Sequence, residues 1–515
     1  MGEYLLAHDL GTSGNKAVLY SLAGELIASE LWEYGTRHPA PGFVEQNPDD
    51  WWEAVCRSTG RILEKSGAAP GEVLCLSFSA QMMGCLLVDE AGSPLYPMIT
   101  WADMRAVHQA ERMEQLLGME AVYRATGHRI SSSYSAAKLL WLKDNHPELY
   151  AKGRKMLQAK DYIIHRLTGN FVTDYSDACG TNLFDLEKKE WRGDFLDTLG
   201  IDPSLLPELH PSTDIVGHVT GQAAAATGLL AGTPVVAGGG DGSCACVGAG
   251  VVEEGSVYNV IGSSSWISMA SRQPVYDQDM QTFNWVHLDE TLYAPCGTMQ
   301  SAGYSFQWAK NTLCSREIAE AEKLGISPYQ LIDRLVEESP PGAGGLLFLP
   351  YLMGERSPRW NPDAKGCFLG LTIGSNRADI LRSVLEGVGY NLKVILDIFD
   401  ARSPIDAITV IGGGAKGQVW LQILADIWQK KLLVPRYLEE ATSMGAVVCG
   451  GVGVGAYRDF GAISHFLKAE HTVEPRPQLA GQYNRLYRAF NQAYDGLTGI
   501  FETLSAALTD GGVIQ

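Results

Sequence analysis

Residues 3–22 read EYLLAHDLGTSGNKAVLYSL: an apolar run, a Gly-Thr-Ser-Gly turn, then a second apolar run. The pattern predicts strand, turn, strand. Gly11 and Gly14 allow a tight turn whose backbone N–H groups face one concavity, with the Thr12 and Ser13 hydroxyls as further donors. Such a nest suits phosphate oxygens. Asp9 at the strand end is suited to a hydrated Mg²⁺, and Lys16 supplies positive charge. On turn statistics alone, a plain Asp-Gly hairpin accounts for these residues equally well.

Working outward, the same pattern returns in GSVYNVIGSSSWISMA (255–270), with Gly262 and Ser263 opening a second nest. Two strand-turn-strand openings imply a duplication, with domains at 1–254 and 255–515. A third glycine turn follows a strand in DAITVIGGGAKGQVWLQILADIW (406–428). It matches G-x-G-x-x-G, which leaves an NAD(P)-dependent oxidoreductase open. Yet Arg436, not an acid, follows the next strand, KLLVP. A turn passing close to the adenine and ribose of a nucleotide is simpler. Between these landmarks, 50–66 has helical spacing with Asp49 or Asp50 as cap, and 72–80 reads as a buried strand. A helix is expected from Lys138, interrupted at Pro147, and the tail 478–508 is helical by pattern.

The stretch GGGDGSCACVGAG (238–250) is a strand end, a glycine run and a small-residue helix. Cys244 and Cys246 diverge on a helix and cannot share a metal. Asp241 is the chemical group here: a carboxylate at a bend, cleared by three glycines for close approach of a substrate, can act as a general base toward a hydroxyl. A helix N-cap is the competing role, and the two are compatible. In ITWADMRA (99–106), Trp101 offers a flat wall and Asp103 and Arg105 polar handles for a sugar; a core Trp beside a surface ion pair fits as well.

The 515 residues carry a net charge of −19, which argues against broad binding to nucleic acid or acidic membranes. The N-terminus lacks a basic run, no apolar stretch is long enough to span a bilayer, and the ten scattered cysteines suit a reduced compartment. A cytoplasmic location is expected.

Two longer stretches are more specific. SYSAAKLLWLKDN (133–145) and GCFLGLTIGSNRADILRSVLE (366–386) resemble the two signatures of the FGGY carbohydrate kinases, and the similarity covers nearly the whole chain. AKDYIIHRLTGNFVTDYSDACGTNLFD (159–185) and FLPYLMGERSP (348–358) look most like xylulokinases. The resemblance implies an α/β, two-domain, actin-like and hexokinase-like (ribonuclease H-like) ATPase fold with a central cleft. The first domain would take the sugar and phosphate side and the second the nucleotide. It implies ATP and Mg²⁺ as cofactors and a small-molecule sugar as partner, and leaves a homodimer open. By match to the family's motifs, Thr12 and Ser13, then Gly262 and Ser263, serve the phosphates, with the charge of Lys16 beside the first turn. Gln307, Gly413, Gly414, Ala415 and Gln418 serve the nucleoside. Asp9 and Asp241 face the metal, and Asp241 is the catalytic base. Gln81, Met82, Met83, Trp101, Asp103 and Asp241 fall on the sugar side. D-Xylulose phosphorylated to D-xylulose 5-phosphate is the first expectation. Met83 and Gly242 replace the His and Asn usual in xylulokinases, so another ketose, polyol or sugar acid stays open, as does a non-catalytic sugar sensor.

Overall fold

Two seven-stranded sheets repeat one strand order, as the echo between 3–22 and 255–270 predicts. In the computed structural model, which describes residues 3–436, 439–467 and 469–510, the first sheet runs Leu26–Glu33, Gly14–Ser21, Tyr4–Leu10, Val73–Ala80, Pro234–Val236, Ile215–His218. Gly239–Gly240 also pairs with Val73–Ala80. The second runs Phe283–Val286, Tyr293–Met299, Ser265–Met269, Val257–Ile261, Ala407–Ile411, Lys431–Pro435, Ala469–Val473. In each, an antiparallel hairpin is followed by two parallel neighbours and an antiparallel edge. The fold is the mixed α/β two-sheet arrangement that the resemblance implied.

The central strands read as nearly continuous apolar runs because helices cover both faces. Tyr4–Leu10 is buried along most of its length. Helix Pro48–Ser66 packs on one face of its sheet and helix Ala441–Gly453 on the other. The first of these helices is capped by Asn47, whose side chain accepts from the Asp49 N–H, with Pro48 at its first position. Asp49 and Asp50 therefore sit in the first turn, facing the positive end of the helix dipole, and are not the cap. The expected helix at Lys138 begins earlier, at Ser135, and ends at Asn145, with Pro147 opening a separate turn. The helical tail expected at 478–508 is helix 480–510, and a further helix, 418–428, follows the third glycine turn.

Residue 254 separates the two sheets but not the packing. Met444 to Phe466, late in the chain, share a core with Leu5, Ala7, Tyr20 and Cys75 of the first sheet. Helix Ala441–Gly453 lies against helix Asp241–Gly248 at the junction. A methyl group on Gly445 would come within 1.9 Å of the Cys244 carbonyl, and one on Gly248 within 1.7 Å of the Ala441 carbonyl. Glycine is required at both because the backbones touch. Cys244 and Cys246 are buried in these interfaces, and all ten cysteines are free. Among the described residues, no helix is long and apolar enough to cross a membrane.

Candidate active site

The first hairpin turn closes with the Gly11 N–H on the Gly14 carbonyl (2.9 Å), and the second with the Gly262 N–H on the Ser264 carbonyl (2.9 Å). Gly14 is needed for room, since a side chain there would reach the Trp32 carbonyl at 2.9 Å. The first turn is braced from below. Gln46 donates to the Thr12 carbonyl (2.5 Å) and accepts from Gln81 (2.7 Å), and Trp101 donates its indole N–H to the Thr12 hydroxyl (3.1 Å). The second turn is braced by helix Gly303–Leu313, whose first two N–H groups reach the Gly262 and Ser263 carbonyls at 3.0 Å.

A cavity of about 590 Å³ opens beside the second turn. Gly262, Ser263, Gln307, Gly413 and Gly414 line it, with Phe306, Tyr329 and Trp420 as aromatic walls. Gly412, at φ 89°, turns the chain away from the Ala407–Ile411 strand into this space. Two expected nucleoside residues lie elsewhere. Ala415 is buried, and the Gln418 amide bonds His471 at 3.0 Å in a neighbouring groove. Lys16 is also engaged: its ammonium meets Glu440 at 3.2 Å, tying the first turn to the second half.

A smaller cavity, about 230 Å³, lies on the other side of the second turn, whose Ser264 and Ser265 line it. Met82, Met83, Trp101 and Asp241 enter from the first half; Trp266, Trp285, Gln300 and Arg356 enter from the second. Met83 lines this space with its backbone in the left-handed region (φ 63°), and the buried Lys138 ammonium donates to its carbonyl at 2.7 Å. Gln81 and Asp103 do not line the cavity. Gln81 is spent on the first turn. Asp103 is fully buried, receiving the Val44 N–H and the Arg105 guanidinium, which stacks 3.9 Å from Phe43. The Asp103–Arg105 pair is thus interior, and neither residue is a handle for a ligand here.

Asp241 is the first residue of its helix, with Gly240 as cap. Its carboxylate meets water only within the cleft. Although the residue is exposed to the cleft, partial desolvation by the surrounding protein, and then the negative charge of Asp9, raise its pKa to about 7. Asp9 accepts from the Thr442 hydroxyl at 2.6 Å. The three glycines before Asp241 make room for protein, not ligand: methyl groups at Gly238, Gly239 and Gly240 would strike Phe78, Leu288 and Met82. Gly242 instead faces the open cavity.

The second-half contributors escaped the sequence reading. Arg356 lies in FLPYLMGERSP, quoted above only for its resemblance, and nothing local marks it as facing a site 115 residues from Asp241 in the chain. Among the described residues its guanidinium has no hydrogen-bond or ion-pair partner; only its backbone is engaged, by Glu355 and Trp360.

This geometry can hold a nucleotide-sized ligand, a small acceptor and a base between them. The comparisons agree. Residues 4–248 match the FGGY family of carbohydrate kinases, N-terminal domain, and 257–454 match its C-terminal domain. A gluconokinase of Bacillus licheniformis is 34% identical over 95% of both chains. A xylulose kinase of Bacillus subtilis (strain 168) is 32% identical over 96% of this chain and 97% of its own. The crystal structure of a ligand-bound xylulose kinase from Lactobacillus acidophilus superimposes with a TM-score of 0.91 at 27% identity, over 98% of this chain and 100% of that one. Sequence, strand order and cleft therefore agree that the chain belongs to the FGGY family of carbohydrate kinases.

Proposed function

We propose that the protein transfers the γ-phosphoryl group of ATP to a hydroxyl of a small polyhydroxylated acid, an aldonate of the gluconate class. One observation carries the kinase half of this reading. A single glycine-serine turn stands between a nucleotide-sized cavity and an acceptor cavity, and the acceptor cavity contains the carboxylate of Asp241. Backbone N–H groups of the two turns and the Thr12 and Ser13 hydroxyls would hold the phosphates. Asp241 takes the proton of the acceptor hydroxyl as its oxygen forms a bond to the γ-phosphorus. The bond to the β,γ-bridging oxygen breaks, and ADP leaves with that electron pair.

Asp9 and Asp241 fit Mg²⁺. They are hard oxygen donors close enough to feel each other's charge, and magnesium is commonly held by one or two carboxylates together with substrate phosphates and water. When bound, the ion would offset phosphate charge.

Arg356 supports the acid acceptor. Among the described residues it is the one cation lining this cavity, which it shares with the Asp241 carboxylate, the Gln300 amide, hydroxyls and apolar walls, and its guanidinium has no hydrogen-bond or ion-pair partner. Desolvating a guanidinium favours a ligand that brings a carboxylate. D-Xylulose is the second reading, supported by the comparable identity to xylulose kinases. The test is ADP release across aldonates, pentuloses, hexuloses and polyols. An aldonate is expected to give the highest kcat/KM. In Arg356→Met, that value should fall about 10- to 100-fold for the aldonate, as for loss of a charge-assisted hydrogen bond, and far less for a neutral sugar. A wild-type preference for D-xylulose would overturn the acid reading, and no acceptor-dependent ADP release would overturn the kinase.

A further inference from the structure

The stretch 159–185, which shows no ligand-facing residue in either cavity, builds a closed ion cluster behind Asp241. Lys160 is fully buried, with its ammonium 3.0 Å from Asp161, 3.0 Å from Asp174 and 3.6 Å from Asp177. Asp174 also accepts from the Ser176 hydroxyl (2.5 Å), the Ser176 N–H (2.9 Å) and the Ser212 hydroxyl (2.8 Å). The Ser176 oxygen, its proton committed to Asp174, accepts the Gly240 N–H at 3.0 Å. Gly240 is the residue before Asp241.

Every link is shut off from solvent, which strengthens the hydrogen bonds of Asp174 and Ser176. The space around the link is equally tight. A methyl group on Gly239 would meet the Ser176 oxygen at 2.7 Å, and one on Gly240 would meet the Met82 sulfur at 2.3 Å. Gly240 has lost its own side chain as a means of being held, and the strand it ends is two residues long. Beside the short pairing to Val73–Ala80, the Ser176 contact is the side-chain bond that holds the backbone at the point where Asp241 emerges. A buried lysine with three acids is costly if its only task is stability, since an apolar cluster of similar volume would do as well.

We propose that Ser176, oriented by the buried Lys160–Asp174 pair, is a positioning residue for Asp241. The backbone part stands independently; its kinetic consequence rests on the kinase reading above. The test is Ser176→Ala, with Ser176→Cys as a graded variant that keeps a weaker acceptor. Hydrogen exchange of the peptide spanning 236–243 should rise about tenfold in Ser176→Ala, less in Ser176→Cys, with the Tyr4–Leu10 strand unchanged. Turnover of the best acceptor should fall about 10- to 100-fold with KM for ATP unchanged, in the manner of a displaced catalytic group. Because the residue acts through Asp241, the same change made in Asp241→Asn should cost under about threefold. Unchanged exchange in 236–243 would overturn the positioning role whatever the activity. An equal loss of turnover in both backgrounds would make Ser176 a structural residue only. If the wild type turns over no acceptor, the kinase reading fails and the exchange measurement still decides this one.

Discussion

The two halves of the molecule share a sheet but divide its chemistry. Sheet register pairs them residue by residue. Leu10 and Ile261 close the two hairpins, so Asp9 corresponds to Val260. Leu10 lies beside Ala80 and Val260 beside Ile411, so Gln81, Met82 and Met83 correspond to Gly413, Gly414 and Ala415. Each half then sends a helix to the junction, beginning at Asp241 in one and Ala441 in the other. The first half thus keeps the acids and fills its strand end with side chains. The second half has lost the acids and emptied its strand end to glycine. A duplicated framework gives two equivalent positions, and a group-transfer site needs them to differ: one to bear charge, the other to make room for a large ligand.

Changes at corresponding positions should therefore have unlike effects. The largest falls on Asp241: in Asp241→Asn, turnover is expected to drop about 10³-fold or more while nucleotide binding persists, because the base is lost and the turns remain. Desolvation at the cleft wall and the charge of Asp9 raise the Asp241 carboxyl to about 7, so it is protonated below that pH and unable to accept a proton. A pH profile of kcat/KM should accordingly rise through about 7 and level above it; a limb near 4 would break the assignment. Next comes the emptied strand end. Gly413 has no neighbour within 4 Å of where a side chain would start, yet it lines the larger cavity. Gly413→Leu should raise KM for ATP at least about tenfold with little change in melting temperature, by filling ligand space and not protein space. Gly445→Ala acts in the opposite sense: its methyl group meets backbone of the other half's helix, and a loss of about 1–3 kcal/mol is expected in denaturant titration, as for overpacking. The smallest effect should be at Lys16, whose ammonium belongs to a part-exposed pair with Glu440. Lys16→Met is expected to change KM for ATP by less than about fivefold. A larger change would mean that the ammonium leaves Glu440 for the phosphates.

Much of this was legible in the chain. Strand-turn-strand patterns repeat because central strands covered on both faces must be apolar throughout, and their turns must be small. The two hairpins, the glycine turn at 412 and the isolated carboxylate of Asp241 could all be read locally. Other residues were misread for a physical reason. Asp103, Gln81 and Gln418 are polar residues beside the site in sequence, but Asp103 is paired in the interior, the Gln81 amide N–H is given to Gln46, and Gln418 bonds His471 in an open neighbouring groove; whether a polar group faces one cavity or another depends on partners that lie elsewhere in the chain. The glycines at 238–240 suggested room for a substrate and proved to be room for Phe78, Leu288 and Met82.

The sequence by itself determined which segments are strands and turns, that they come twice, and that one acid stands alone at a helix start, because these depend on neighbours in the chain. Tertiary structure decided which half borders which cavity, that Arg356 is the cation facing Asp241's cavity, and that the Ser176 oxygen accepts the Gly240 N–H. Those depend on distances between segments 60 to 120 residues apart, and only the packing of the two sheets onto one pair of helices sets them.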